Sequence, residues 1–591
     1  MQRGRLLTKF LIWRIRHVST KNFILVLGGI IGIIGGVAAV TLKSAVHYLQ
    51  ETLFDLRTSF TEYIYLIFPF VGIALTVFVA RKIFKDRMGQ GVTAILYAIS
   101  KKSSMISQGK MYTRMITSCI TVGFGGSVGL EAPIIVTGSA IGSNIGRLMH
   151  LNYKQRTLLI GCGAAAAISG IFNSPVAGVI FAVEVVLTDV TIAVFIPLLL
   201  ASVMGSLVSM LFLGDAVLFS FNLKDSFTAS DFPFYLLLGA ICGLVSVYFS
   251  RMTSLSEQWV SRIQSQFWRV VVGGLALGII VFFFHPIYGE GYNSITDILN
   301  GRQDALLVNS ILLSEFEGKP ALLLFTLGII LFKPFATGAT IGTGGSGGVS
   351  APSLFMGGFT GFLFAELVNL LNLGKTLSVS NFTLVGMCGV MSGVLHAPLT
   401  AIFLIAEITS GYTLFLPLML VSAIALSTNS YFQKYSFYTG KLIRRGDLIP
   451  YDKDRQVLSL IKIDKLIEKD LLTIHPEESL GDLVTLVRRS KRNIFPVIDD
   501  EGALLGIVTL DDIREIMFDE ESQKNVIVAS LMHKPPDTVS SGSPMQEVMH
   551  KFERTGAWNL PVIDDGKYLG IVSKSRIFNA YRLRLRRNHK E

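Results

Sequence analysis

The chain contains 591 residues, of which 51% are apolar and only 16% are charged. Soluble domains carry about 25% charged residues, so this composition and a mean hydropathy of +0.54 exclude a wholly water-soluble protein. The formal net charge of +11 does not point to nucleic acid in such a chain, because basic residues flank the cytoplasmic ends of membrane helices. We predict an integral membrane protein with no nucleic-acid partner.

The N-terminal segment is basic and is followed by an apolar stretch. Lys and Arg residues occur before Glu51, and no acidic residue does. Residues 23–42 are long and apolar enough to cross a bilayer, and no small-residue cleavage site follows them as it would in a signal peptide. We predict that residues 1–21 are cytoplasmic, that both termini face the cytoplasm and that the protein resides in the plasma membrane.

The composition of the sequence changes once along the chain, from mainly apolar to charged. Residues 22–446 form a nearly continuous series of apolar segments with short polar breaks, whereas the sequence after about residue 450 is charged and soluble in character. We predict a membrane domain at 22–446, a linker at 447–464 and a soluble C-terminal pair of modules at 465–520 and 526–583.

Two blocks of the membrane part recur in the same order and at nearly the same separation. GSVGLEAP (126–133) recurs as GSGGVSAP (345–352), and SGIFNSPVAGVIFAVE (169–184) recurs as SGVLHAPLTAIFLIAE (392–407). Duplicated halves are usual in secondary transporters, whose substrate site lies where the halves meet. We predict two related halves, at about 22–215 and 230–446.

The tail also contains a repeat. FPVIDDEGALLGIV (495–508) recurs as LPVIDDGKYLGIV (560–572). Each copy reads as a strand, a turn with Gly502 or Gly566, a second strand and then a helix. This pattern predicts two α/β modules that pack as a pair.

A glycine-rich break in the first half has the features of an anion site. Gly125, Gly126 and Gly129 interrupt the apolar series, and Ala132-Pro133 then begins a helix, since proline is tolerated in a first turn. The free N–H groups and the dipole at a helix start favour negative charge. Irregular backbone at membrane depth is tolerated where it is buried or lines a cavity. We therefore predict that an anion binds here.

Glu131 lies at the start of this helix and is the only charged residue between Ile116 and Asn144. An ionisable group at membrane depth costs about 2.5–3.5 kcal/mol even on lenient scales, so a functional role is favoured over a purely structural first-turn glutamate. We predict that its carboxylate competes with the permeant anion and moves away when protonated. The second half has Ser350 at this position, so only one half carries the acidic gate.

These motifs resemble those of the CLC chloride channel and transporter family. GSVGLEAP resembles GREGP, GQGVT (89–93) resembles GSGIP, and GGVSAP (347–352) resembles GxFxP. The resemblance covers about residues 22–446. It implies an all-α polytopic membrane fold built from two inverted repeats of tilted and broken helices, and a homodimer with one chloride pore in each subunit, embedded in membrane lipid.

The resemblance also implies roles for individual residues. Glu131 matches the family's external gating glutamate, and the anion would be bound by Gly91, the amides of Val349 and Ser350, and the hydroxyl of Tyr438. Gln90 stands where the family has an anion-binding serine, which leaves the preference among chloride, nitrate and fluoride open.

Two modes of transport remain open at this point. Proton-coupled members often carry a glutamate directly after the one matching Glu184, and this chain has Val185 there, as channel-type members do. This favours a gated chloride channel over a chloride/proton antiporter. Glu184 and its repeat mate Glu407 are expected to satisfy neighbouring helix ends.

The tail resembles a cystathionine-β-synthase (CBS) domain pair, which implies a sensor of adenine nucleotides or, alternatively, a module without ligand. The first copy has Thr509 and Asp512 at the ribose-binding positions, whereas the second has Ser573 but Arg576 in place of the acid. We expect at most one complete nucleotide site. No required cofactor, metal site or enzymatic activity is expected, because the apolar segments contain neither an HExxH motif nor a paired His/Asp cluster.

Overall fold

The computed structural model describes residues 2–55, 64–85, 91–187, 192–214, 228–308, 318–372, 375–409, 411–447, 461 and 463–590. The chain divides into two compact units, Met1–Leu448 and Ile449–Glu591. The regular elements described in the first unit are all helices, whereas the second unit combines short helices with strands.

The first half of the membrane unit begins with long apolar helices. Its helices are α1 Gln2–His17, α2 Thr20–Asp55, α3 Ile64–Phe78, α4 Gly91–Lys101, α5 Thr113–Gly123, α6 Glu131–Leu148, α7 Tyr153–Phe172, α8 Pro175–Phe181 and α9 Ile192–Leu213. Short π-helical turns at Val79–Ile83 and Ala182–Val186 extend α3 and α8.

The second half follows the same plan. Its helices are α10 Phe232–Ser261, α11 Gln266–Phe283, α12 Tyr292–Leu299, α13 Ala305–Val308, α14 Lys319–Thr343, α15 Ser350–Leu370, α16 Val379–Leu395, α17 Pro398–Ile408, α18 Phe415–Phe432 and α19 Phe437–Arg444. Within the described residues, nine helices are long and apolar enough to cross a membrane, as the multi-pass prediction requires.

Local sequence explains where the broken helices stop and restart. Helix α7 ends at Asn173 with φ 56°, and α16 ends at His396 with φ 53°. In each half a proline then begins the next short helix, Pro175 for α8 and Pro398 for α17, because its fixed φ suits the first turn. The two halves therefore break their helices at equivalent residues.

The halves also pack alike. Helices α2, α7 and α9 pack against one another in the first half, as α10, α16 and α18 do in the second. Helix α6 packs on α7 as α15 packs on α16, and the short helices α8 and α17 contact each other. The duplication predicted from the sequence is thus present in three dimensions.

A backbone bridge joins the two glycine-rich segments at equivalent residues. Gly129 N donates to Gly348 O at 3.0 Å, and Gly348 N donates to Gly129 O at 2.8 Å, in antiparallel register. Reciprocal bonding of equivalent residues places a local two-fold axis between them. The two motifs that the sequence singled out are therefore in direct contact.

Glu184 and Glu407 form a second reciprocal contact. The Glu407 carboxylate accepts the amides of Val176 (3.0 Å) and Ala177 (2.8 Å) at the start of α8. The Glu184 carboxylate accepts amides at the start of α17, those of Leu399 (3.1 Å) and Thr400 (2.8 Å). The prediction that these acids satisfy neighbouring helix ends is confirmed.

The tail unit contains two β-hairpins with helices around them. The strands are β1 Ile494–Ile498, β2 Leu504–Thr509, β3 Asn559–Asp564 and β4 Lys567–Ser573, and the helices are α20 Leu480–Arg489, α21 Leu510–Ile513, α22 Glu520–Asn525, α23 Val528–Leu531, α24 Met545–Thr555 and α25 Lys574–Lys590. Each hairpin pairs antiparallel, with a register shift at its Val-Ile step. The hairpins contact each other through a bridge between Ala503 and Lys567.

The start of the first module packs into the second one. Ile463 and Leu466 belong to the apolar core around Val562 and Phe552, and Glu468 pairs with Ile571 on β4. The repeated motifs do not indicate this contact. Residues 463–468 precede the first motif, whereas the residues that they contact belong to the second copy.

Candidate functional site

The starts of α4, α6 and α15 lie against one another. A Cβ atom on Gly91, the first residue of α4, would lie 3.5 Å from Ala132 Cβ in the first turn of α6. A Cβ atom on Gly348, just before α15, would lie 2.7 Å from the same atom. The first amides of a helix have no intrahelical acceptor, so this junction gathers the positive ends of three helix dipoles.

Glu131 is the first residue of α6, and its side chain is 1% exposed. Its Oε1 accepts a hydrogen bond from the Tyr292 hydroxyl at 3.0 Å. Its Oε2 is buried close to Gly129 and Ala351, since a Cβ on Gly129 would overlap both Oε2 and the Ala351 side chain. The carboxylate therefore lies at the starts of both α6 and α15, where an anion would be favoured.

Tyr438 and Ser350 come together at the same junction. The Tyr438 hydroxyl lies 3.3 Å from Ser350 Oγ, and both side chains are buried, as is Val349 at the N-cap of α15. The structure thus brings together Gly91, Val349, Ser350 and Tyr438 beside the helix starts. Gln90 lies outside the described residues.

A cavity of about 40 Å³ opens beside the helix starts. It has room for a small anion or a few water molecules. Its lining includes Gly91, Ala132, Val349 and Tyr438, together with the basic residues Arg114, Lys441 and Arg445. Positive charge along a narrow cavity raises the local concentration of anions. Glu131 does not line this cavity.

Three residues beside Glu131 were not identified from the sequence. Tyr292 contacts its carboxylate and Glu290 Oε1 accepts the amide of Leu130 at 2.9 Å. Lys333 is fully buried and donates to the carbonyls of Ile287 and Gly289 in the same stretch of chain. An ionisable residue in a glycine-rich or apolar segment is the same signal that identified Glu131. Applied to GEGY (289–292) and to the run around Lys333, it would have found two of them.

In the tail, the side chains of Thr509 and Asp512 form a capping box at the start of α21. Asp512 Oδ2 accepts both the Thr509 amide and hydroxyl at 2.7 Å, and His533 Nε2 lies 3.1 Å from it. Partial burial raises the pKa of Asp512, but the hydrogen bonds from Thr509 and the nearby His533 outweigh this and lower the pKa below its usual value. The carboxylate is ionised and fixed in place.

The corresponding position in the second copy is filled by the protein itself. The Ser573 hydroxyl donates to Glu468 Oε1 at 2.8 Å and accepts the amide of Arg576 at 3.3 Å. Arg492 forms an ion pair with the same glutamate. Ser573 is therefore engaged by Glu468, a residue from the first copy.

Comparison with known proteins gives the family. The sequence profile described as "Voltage gated chloride channel" matches residues 72–430, and the CBS domain profile matches 463–519 and 528–583. Chloride channel protein CLC-f of Arabidopsis thaliana is 26% identical over 84% of this chain and 70% of its own length. CLC-e of the same plant is 27% identical over 68% of this chain and 62% of its own length.

Solved structures share the fold. A slow cyanobacterial Cl⁻/H⁺ antiporter has 22% identity and a TM-score of 0.63 over 72% of this chain and 98% of that one. A eukaryotic CLC transporter has 19% identity and a TM-score of 0.61 over 94% of this chain and 99% of that one. A CLC-type fluoride/proton antiporter has 22% identity and a TM-score of 0.58 over 71% of this chain and 97% of that one. With its paired helix starts and its two C-terminal CBS modules, this multi-pass membrane protein belongs to the CLC family of voltage-gated chloride channels and related antiporters.

Proposed function

We propose that the chain moves chloride, or a similar small anion, through a pore within each subunit, and that Glu131 is the gate. The observation that carries this proposal is the position of the Glu131 carboxylate, buried beside the starts of α6 and α15. Amide hydrogens at a helix start bind anions, so a carboxylate there competes with the transported ion. Protonation removes the negative charge and releases the side chain.

The anion is bound by the groups gathered at the same junction. We assign the amides of Val349 and Ser350, the backbone at Gly91 and the hydroxyl of Tyr438 to the anion, because all lie beside the cavity or at the start of α15. Gln90 precedes Gly91 in the sequence, and its amide NH₂ can donate to an anion. We propose that Gln90 sets the preference among chloride, nitrate and fluoride.

A gated channel is the first candidate for the mode of transport. Val185 directly follows Glu184, and an apolar side chain cannot take up a proton there. Glu184 itself is engaged by Leu399 and Thr400. In a gated channel Glu131 has only to respond to acid, and it needs no second carboxylate on the inner side to supply its proton.

A chloride/proton antiporter is the second candidate. Two of the solved structures that share the fold are antiporters, one of chloride and protons and one of fluoride and protons. In such a protein the Glu131 carboxylate would carry the proton as well as block the anion. A transporter of an anion other than chloride is a variant of either mode.

Flux measurement in liposomes separates these candidates. Purified protein is reconstituted with high internal chloride, and chloride efflux and proton uptake are recorded together. The channel predicts chloride efflux without proton movement, whereas the antiporter predicts protons moving against their own gradient in fixed ratio to chloride. Replacing chloride by nitrate or fluoride, with and without Gln90→Ser, tests selectivity.

The gate is tested with Glu131→Gln, which mimics the protonated side chain. We expect faster anion flux with most of its acid dependence removed. Glu366→Gln is the matched control, since Glu366 is an acid buried in α15 that pairs with Lys319 at 3.7 Å. If Glu131→Gln retained the full acid response of the parent protein, Glu131 would not be the gate.

We further propose that the CBS pair binds one adenine nucleotide at Thr509 and Asp512. The preformed Thr509–Asp512 contact supports this site, and the engagement of Ser573 by Glu468 argues against a second one. No cofactor is required for transport in this proposal. A nucleotide would act as a regulatory ligand.

Assembly and orientation complete the proposal. We propose a homodimer in the plasma membrane, with both termini in the cytoplasm. Chemical crosslinking in native membranes tests the dimer, and protease access to tags at each terminus tests the orientation.

A further inference from the structure

A short glycine-rich segment of the second half, residues 287–292, lies directly against the gate. It leads into α12, whose first residue is Tyr292, and Gly289 and Gly291 adopt φ of +60° and +82°, conformations that side chains rarely adopt. A Cβ on Gly291 would overlap the ring of Phe355 in α15. The backbone of the 287–292 segment is therefore held in one shape against α15.

Lys333 of α14 forms hydrogen bonds with the backbone of this segment. Its Nζ donates to the carbonyls of Ile287 at 3.3 Å and Gly289 at 3.4 Å, and lies 4.3 Å from the centre of the Phe355 ring. Its side chain is fully buried, and no carboxylate lies within 4.0 Å of it in the described part of the chain. Because a buried ammonium is costly without partners, these carbonyls are held in place by the need to satisfy it.

Glu290 and Tyr292 of this segment form hydrogen bonds with two adjacent residues of the first half. Glu290 Oε1 accepts the amide of Leu130 at 2.9 Å, and the Tyr292 hydroxyl donates to Glu131 Oε1 at 3.0 Å. Leu130 is the N-cap of α6 and Glu131 is its first residue. One contact thus ties the segment to the helix that carries the gate, and the other holds the gating carboxylate itself.

We propose that the 287–292 segment is a latch that holds Glu131 in its blocking position, with Tyr292 as the residue that positions the carboxylate. The inference rests on Glu131 being the gate. It adds that the carboxylate must break its hydrogen bond with the Tyr292 hydroxyl when the pathway opens. A hydrogen bond to an ionised group is about twice as strong as a neutral one. Glu290 holds the latch against α6 and occupies an amide that an anion could otherwise reach.

Tyr292→Phe tests the latch because it removes one hydroxyl and keeps the ring. We expect chloride flux to rise about tenfold, equivalent to about 1.4 kcal/mol, with the midpoint of acid activation moved to higher pH. The other ionisable groups near Glu131 are Glu290 and Tyr438, and Lys43 and Lys333 are the cations near Glu290. These groups are unchanged in the variant.

Tyr248→Phe is the matched control. Tyr248 is in α10 of the same half, outside the latch, and its hydroxyl donates to the Leu331 carbonyl at 2.7 Å rather than to the gate. We expect its flux and acid activation to equal those of the parent protein. Glu290→Ala, which frees the Leu130 amide, is expected to raise flux by about threefold, equivalent to about 0.65 kcal/mol.

The Glu131→Ala background separates the latch from the gate. With no carboxylate to hold, Tyr292→Phe should leave the flux of Glu131→Ala unchanged. An unchanged or lower flux of folded Tyr292→Phe, or an equal rise in both backgrounds, would overturn the latch. The gate itself would then still be judged separately, because Glu131→Ala alone must exceed the parent protein's flux if Glu131 blocks the pathway.

Discussion

The reciprocal contacts of Glu184 and Glu407 give a prediction about stability. Glu407→Leu removes a carboxylate that accepts two amides at the start of α8. Leaving a partly buried amide without a partner costs about 1–3 kcal/mol, so the loss of both is expected to cost about 2–6 kcal/mol. Glu407→Gln keeps one acceptor oxygen and should cost less than half as much.

The free energy of unfolding is measured in mixed micelles of mild detergent and SDS, with tryptophan fluorescence as the signal. Glu184→Leu, which uncaps α17, should cost at least as much as Glu407→Leu, because the Glu184 carboxylate accepts the Thr400 hydroxyl at 2.7 Å in addition to two amides. Glu51→Gln is the control, since its side chain is 63% exposed. If Glu407→Leu unfolded with the free energy of the parent protein, the capping role derived from these distances would be refuted.

Three further predictions concern the pore and the tail. Tyr438→Ala should speed chloride efflux several-fold because it removes a buried hydroxyl and ring beside the cavity, and Tyr435→Ala, at a neighbouring position, should not. Asp512→Ala should abolish binding of ATP or ADP to the full-length protein in calorimetry, whereas Ser573→Ala should leave it unchanged. Partial burial raises the pKa of Asp537, but its backbone hydrogen bond and its basic neighbours lower it below its usual value overall. The ionised form therefore stabilises the tail above the unfolded pKa, near 3.8. Asp537→Asn should accelerate hydrogen exchange in the tail at pH 7, with the difference from the parent protein lost as the pH falls through the folded pKa.

The sequence predicted the membrane fold well, for reasons that lie in the residues themselves. A helix in lipid must satisfy its backbone internally, so apolar length identifies a span with little help from tertiary context. The repeated NSP and HAP segments also explain where α7 and α16 end, because Pro175 and Pro398 cannot continue the preceding helix, although we did not predict these ends from the sequence. The family resemblance and the CBS pair were likewise readable from motifs.

The candidate site was predicted in part. Glu131 could be identified because a lone charge in a long apolar segment is energetically costly and usually has a function. The glycine-rich starts of α6 and α15 could be predicted as anion sites from their sequence. Tyr292 could not be identified from the sequence, since an isolated tyrosine near a helix start has many ordinary roles. The contact of Glu468 with Ser573 was equally hidden, because it joins segments about a hundred residues apart.

By itself, the sequence determined that this chain crosses the membrane many times and that its two halves carry the same motifs in the same order. It also determined that one acidic residue, Glu131, lies at a glycine-rich helix start. Only the tertiary structure decided which starts meet, through the bridge from Gly129 to Gly348, and which groups surround the acid. The physical reason is that helix formation and lipid exposure depend on neighbours in sequence, whereas a hydrogen bond such as that from Tyr292 to Glu131 depends on packing between halves. That packing brings together residues whose separation along the chain carries no local signal.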